Sequence, residues 1–490
     1  MKKKTLIGMM LLASPTITMA QNIIYPTPPS DNTVDKYFGI EVNDPYRPLE
    51  SDTAQATLAW VKAENKITTD YLSKIPFRAK LLNRMKELAN YEKYSAPWYN
   101  KHTQKWYFYR NNGLQNQSVL YVMNRLGDEK KAQIFLDPNK LSTDGTVALK
   151  SISFSNNGKY AAYAISRSGS DWQEFYVIDT NSGKLLNDHI KWAKFSNAAW
   201  LGDGFYYSAY DAPSPGNELS NVNSVQKIYY HKIGTPQSED ILFYQNPEQP
   251  MRFYTLGVNE DETMMFLIES GAGQGNGLYV RNLKQEGSQF IQLNANLEAQ
   301  CNPIKTIGDK IYILTNEKAP TNKLVVTDIH HPSKADWKTV IPANSNVLED
   351  VAFVDGKLIL TYMQDAYSHS YLYSIDGKQL KEIKLPTVGS ASFTGNYERP
   401  EVFYSFTSFT EPTSVYQYNV NTNTSTTYTS PKVKFDKNKF VSEQVYITSK
   451  DGTKVPVFLT YKKGLKRNGK NPLLLYAYGG FGISLTPSFS

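Results

Sequence analysis

The residues best placed to do chemistry lie in the last twenty, NPLLLYAYGGFGISLTPSFS (471–490). A short apolar run, Leu473–Leu475, leads into Tyr476, Ala477, Tyr478, Gly479, Gly480, Phe481 and Gly482. A strand that runs into glycines often builds an active site, because glycine lets a backbone N–H or a neighbouring side chain come close to a substrate. A phenol at such a junction is a neutral hydrogen-bond donor. On residue types alone, an ordinary strand-end tyrosine is the favoured reading of Tyr478, since aromatic residues are common in strands. Cys301 is the only cysteine, so no intrachain disulfide forms, and a small buried hydrophobe is its expected role. No group of His, Cys and acids has metal-ligand spacing, and neither metal nor cofactor is expected.

The elements that must carry this junction are read from periodicity. Between about 100 and 425 one strand signal follows a turn again and again: TQKWYFYR, NNGKYAAYAIS, LGDGFYYSAY, NEDETMMFLIES, IGDKIYILT, VDGKLILTY and ERPEVFYSF. A second strand follows each, centred on Tyr121, Tyr176, Tyr229, Tyr279, Val325, Tyr373 and Tyr416, at intervals of 43 to 55 residues. The Asn-Gly, Gly-Asp and Asp-Gly turns belong to tight hairpins. Seven copies at this spacing predict a seven-bladed β-propeller over 93–435, against the alternative of paired sandwiches, which have no such period. The segment 21–92 is expected to be helical. Residues 52–73 carry a broad apolar face of Leu58, Trp60, Val61, Ile67 and Tyr71, with Asp52 as a possible cap. Residues 78–91 place Leu81, Leu82, Met85, Leu88 and Ala89 on one face.

At 490 residues, two or three domains are expected. The first twenty residues have the form of a signal peptide: Lys2–Lys4, a short apolar core, and a small-residue site before Gln21. The core is well short of the roughly 20 residues that cross a bilayer. The chain is therefore expected to be exported, to a periplasm or the medium, with no membrane attachment after cleavage. Without those residues the balance is 50 basic against 46 acidic, or +4, dispersed and with no block suited to nucleic acid.

Several long stretches, in order, resemble the prolyl oligopeptidase family of serine peptidases, of the α/β-hydrolase class. They are YPTPPSDNTVDKYFGIEVNDPYRPLE (25–50), WVKAENKIT, SGSDWQEFYVID, KIYYHKIGTPQSEDILFY, SKDGTKVPVFLTYKKG and YAYGGFGISLTPSFS. Pro48 stands where the family more often has Trp. The resemblance implies an endopeptidase that cuts short proline-containing peptides on the carboxyl side of proline, monomeric, with the propeller excluding larger substrates. It implies that 436–490 begins an α/β-hydrolase domain. It assigns Tyr478 as an oxyanion-hole donor, Phe481 to an apolar substrate pocket and, more weakly, Phe175 to the pocket wall.

Such an enzyme also needs a nucleophilic Ser, an Asp and a His in that order. No Gly-x-Ser-x-Gly is present; Gly482-Ile483-Ser484 lacks the second glycine, and His102, His189, His231, His330, His331 and His369 all precede residue 436. The triad is thus expected beyond residue 490, in about 200 further residues, and the chain as written is expected to be inactive. The alternatives are a non-catalytic peptide-binding propeller and an oligopeptidase of another specificity.

Overall fold

The computed structural model describes residues 23–490, so the signal-peptide reading of 1–20 lies outside the described residues. The described residues form two compact units, 23–83 with 213–221, and 84–212 with 222–490.

In the first unit, the strands Val34–Tyr37 and Ile40–Asn43 form a hairpin. Arg47 ties it to the following turn, pairing with Asp35 and, at 2.6 Å, with Asp44. Helix α1, Gln55–Ser73, begins after Ala54 without a side-chain cap, so the Asp52 cap is not formed. Trp60 Nε1 donates to the Pro26 carbonyl at 3.3 Å, and Thr57 Oγ1 to that of Pro48 at 3.2 Å. Leu58, Val61 and Tyr71 of its apolar face are exposed. Helix α2, Arg78–Ala89, spans the division between the units. No helix among the described residues is long and apolar enough to cross a membrane.

The second unit is built of antiparallel sheets in chain order, and it corrects the expectation of seven separate blades. Five separate sheets of blade type are present. One is built on Lys105–Asn111, and the others start at Phe253, Cys301, Val347 and Ser390. Residues 147–245, where two more blades were expected, instead form one eight-stranded sheet. Its halves join where Leu185–Lys194 meets Gly204–Ala209 through the pair Ala193↔Ala209.

The middle strands explain the repeated sequence signal. Gly204–Ala209 is buried throughout, and Tyr160–Arg167 is buried over its central six residues. A strand covered on both faces needs a continuous apolar run rather than alternation. The last strands, such as Gln379–Ile383 and Thr424–Thr429, are mostly exposed and polar. Tight turns let one sheet touch the next. Gly158 (φ +71°) sits against the His102 carbonyl, and a Cβ there would lie 2.3 Å from that oxygen.

Apolar clusters join each sheet to its neighbour. Met264, Phe266, Ile311 and Ile313 pack together, as do Tyr312, Leu348 and Leu360, then Val354, Phe393 and Tyr404. Cys301 is fully buried at the first of these joints, its sulfur 3.3 Å from Thr315 Oγ1 and its N–H donating to Asn276 Oδ1 at 2.9 Å. The circuit closes where Trp106, Phe108 and Met123 of the first sheet meet Phe403 and Val415 of the last. No strand is shared across that joint among the described residues. Trp106 meets Phe403 edge-on at 6.3 Å, and Tyr428 bonds to Glu129.

The α/β-hydrolase part of the expected fold is also corrected. Residues 436–490 contain one hairpin, Phe440–Thr448 with Lys454–Lys462, and no hydrolase sheet. Residues 471–477 form no strand; Leu473, Leu474 and Leu475 are at least 80% exposed. An extended segment without a neighbour to take its backbone hydrogen bonds has nothing to hold it as a strand.

Candidate active-site loop and the buried polar groups

The loop that carries Tyr478 is shaped by its glycines. The phenol lies against Gly480, where a Cβ would come within 3.0 Å of Tyr478 Oη and 3.2 Å of Cζ. A side chain at 480 would push the ring aside by a few tenths of an ångström. Phe481 (φ 56°) and Gly482 (φ 71°) follow in left-handed geometry, which turns the chain sharply. Tyr478 is half exposed and Phe481 is 98% exposed, so both present themselves to solvent. The end of the segment is anchored to the last sheet: Ser390 Oγ donates to the Pro487 carbonyl at 2.8 Å, and the Phe489 N–H donates to Thr407 Oγ1 at 3.2 Å. Phe489 also packs edge-on against Phe435 at 5.6 Å.

Phe175 is placed elsewhere. It is 1% exposed, in the core of the eight-stranded sheet with Phe205 and Tyr207 at 5.9 and 6.4 Å. Its environment is that of a packing residue, and the structure does not bring it to the surface beside Tyr478 or Phe481.

The histidines offer a further test for catalytic chemistry. His231 is fully buried, with Nδ1 2.7 Å from Asp240 Oδ1 and Nε2 3.0 Å from Asp188 Oδ1. Burial alone would lower its pKa, but the bonds to Asp188 and Asp240 outweigh that and hold it up to about 9. Burial likewise opposes ionisation of Asp188, yet the His231 bond and the Gly234 N–H, 2.6 Å away, keep its carboxyl below the usual range. Tyr207 donates to the other oxygen of Asp240 at 2.7 Å. With both ring nitrogens committed and no solvent access, His231 is a structural cation and cannot act as a general base. Its partners stand 43 and 9 residues away in sequence, and no local pattern marks the trio.

His189 lies 2.7 Å from Glu174, which also binds Arg167 at 2.6 Å and Tyr176 at 2.8 Å. Burial raises the Glu174 carboxyl, but these bonds prevail and hold it at about 2. No group of three or more His, Cys, Asp and Glu among the described residues could hold a metal ion.

Consecutive antiparallel sheets, stacked through side chains and closed first to last, define a β-propeller protein. The family model for the prolyl oligopeptidase N-terminal β-propeller domain matches residues 25–431, and the chain belongs to this family. It is 44% identical over 468 residues to the prolyl endopeptidase of Elizabethkingia meningoseptica, covering 95% of this chain and 65% of that protein. Against the prolyl endopeptidase of Elizabethkingia miricola the identity is 42%, covering 96% and 66%. The chain thus spans just under two thirds of the length of these relatives. Among solved structures, one from a mechanistic study of two prolyl endopeptidases superposes with a TM-score of 0.85 at 32% identity, over 95% of this chain and 68% of that one. Prolyl oligopeptidase B from Galerina marginata, bound to a 35mer hydrolysis and macrocyclization substrate, gives 0.84 at 31%, over 95% and 69%.

Proposed function

We propose that this chain serves a serine endopeptidase that hydrolyses short peptides on the carboxyl side of proline. The observation that carries the reading is the 44% identity, over 95% of the chain, to a protein named a prolyl endopeptidase. In this reading the propeller limits access to oligopeptides, Tyr478 donates its phenolic hydrogen to the oxyanion of the tetrahedral intermediate, and Phe481 lines the pocket for an apolar substrate side chain. The packing of the phenol over Gly480 supports the first role, since an oxyanion donor has to be fixed before the charge develops. The near-complete exposure of Phe481 leaves its ring open to a substrate.

The protein acts outside the cytoplasm, in a periplasm or the medium, after removal of residues 1–20, and works as a monomer. Native protein from the exported fraction of its host tests both parts. It should begin at Gln21, and it should cleave a proline-containing octapeptide after proline in a manner abolished by a serine-directed inhibitor. Cleavage only after lysine or arginine, or no cleavage at all, would overturn the specificity.

A further inference from the structure

The Tyr478 loop is held on one side. Before it, Leu473–Leu475 are exposed and lie in no strand. After it, the Ile483 N–H closes the turn on the Gly480 carbonyl at 3.1 Å, Leu485 and Thr486 are half-buried, and Pro487 is buried. Proline fixes its own φ and pushes the residue before it towards an extended form, so 486–487 is a stiff link between the turn and its anchor.

The anchor is a pair of hydroxyls. Ser390 and Thr407 face each other across the first two strands of the last sheet, Ser390–Thr394 and Val402–Thr407. Ser390 Oγ donates to the Pro487 carbonyl, and Thr407 Oγ1 accepts from the Phe489 N–H. Thr407 gives its own hydrogen to the Glu411 carbonyl at 3.3 Å, which leaves its oxygen to accept. The Pro487 carbonyl and the Phe489 N–H flank one residue, and these are the two groups that a strand offers to a neighbour on one side. Two side chains thus take the place of a neighbouring strand. Their platform is stiff. The Ala391 N–H donates to Ser368 Oγ of the preceding sheet at 3.0 Å, and a Cβ on Gly389 would lie 2.4 Å from the Thr407 carbonyl.

We infer that Ser390 and Thr407 are positioning residues for Tyr478, through which the propeller shares in the chemistry. The inference rests on the oxyanion reading of Tyr478 above. A donor to an oxyanion is effective only if its place is set before the charge develops. A phenol on a loop with one side unpaired takes its place from the side that is held. A misplacement of about 1 Å at a reacting group can cost roughly a hundredfold in rate, so hydroxyls that touch no substrate can still govern turnover.

Two measurements test it. In the 490-residue chain, hydrogen exchange read on the peptide 483–490 follows the anchor without any substrate cleavage. Thr407→Val keeps the shape and loses the hydroxyl, so the Phe489 amide should exchange several-fold faster; Thr407→Ser should restore its protection. In an active form of the protein, Ser390→Ala and Thr407→Val should each lower kcat roughly tenfold with KM little changed, and Thr407→Ser should recover most of the loss. In the Tyr478→Phe background the same changes should cost nothing further, because no hydroxyl is left to position. If Thr407→Val melts lower than the parent, Ser390→Ala, which removes a single donor, is decisive. Unchanged exchange, unchanged kcat, or losses that add to that of Tyr478→Phe would each overturn the inference. A loss with Tyr478→Phe but none with the anchor variants sinks the inference alone. Should Tyr478→Phe itself leave kcat unchanged, the oxyanion reading falls and the inference with it.

Discussion

At the scale of single residues, the two sharpest expectations concern a phenol and an imidazole. Tyr478→Phe removes one hydroxyl and leaves the ring over Gly480. In an active form of the protein it should lower kcat by about two orders of magnitude with KM little changed, as loss of an oxyanion donor does; steady-state kinetics on a proline peptide would show it. His231 governs stability instead. Its pKa is held near 9 in the fold against an ordinary value of 6.5, so its contribution is fully present below pH 6.5 and is lost as pH rises through 9. Denaturant midpoints taken from pH 6 to 10 should fall across that window, and His231→Ala should flatten this part of the curve. Removing the imidazole also leaves Asp188 and Asp240 buried without their cation, a cost of about 3–5 kcal/mol.

At the scale of elements, much was legible and the exceptions have physical causes. The turn-plus-strand repeats stand out because middle strands covered on both faces must be apolar throughout, as Gly204–Ala209 is. Helices α1 and α2 appear within a few residues of their predicted limits, since a periodic face is a strong local signal. The union of 147–245 into one sheet was not legible, because it turns on one backbone pair, Ala193↔Ala209, that leaves no mark in side-chain pattern. The apolar run 473–475 reads as a strand from its residues, but strand formation depends on a pairing neighbour. Of the candidate site residues, Tyr478 could be singled out by the glycines after it, whereas the core position of Phe175 depends on which face of its strand meets Phe205. One prediction belongs here. Gly158→Val should destabilise the turn against His102 by several kcal/mol, because positive φ and a 2.3 Å approach to backbone both oppose a side chain; thermal melting measures it.

At the scale of the molecule, the circuit of sheets is closed by side chains. Trp106→Ala opens a cavity at the joint of the first and last sheets, and a large-to-small change of this kind costs about 3–5 kcal/mol. Hydrogen exchange should therefore rise first in Lys105–Asn111 and Val402–Thr407, and later in the eight-stranded sheet. Equal acceleration in every sheet would show that the joint is no weaker than the rest.

The lone sulfur at the joint of two sheets gives the protein a built-in clock. Burial pushes the Cys301 thiol up and closes it to reagents, so the folded chain should be inert to iodoacetamide. Each alkylation event then marks one parting of the sheets that start at Phe253 and Cys301. Because the chain has a single thiol, the mass of the tagged protein counts those events directly, one carbamidomethyl group per molecule. A change in labelling rate on adding a peptide would time how a ligand restrains the breathing of the ring, without any mutation or dye.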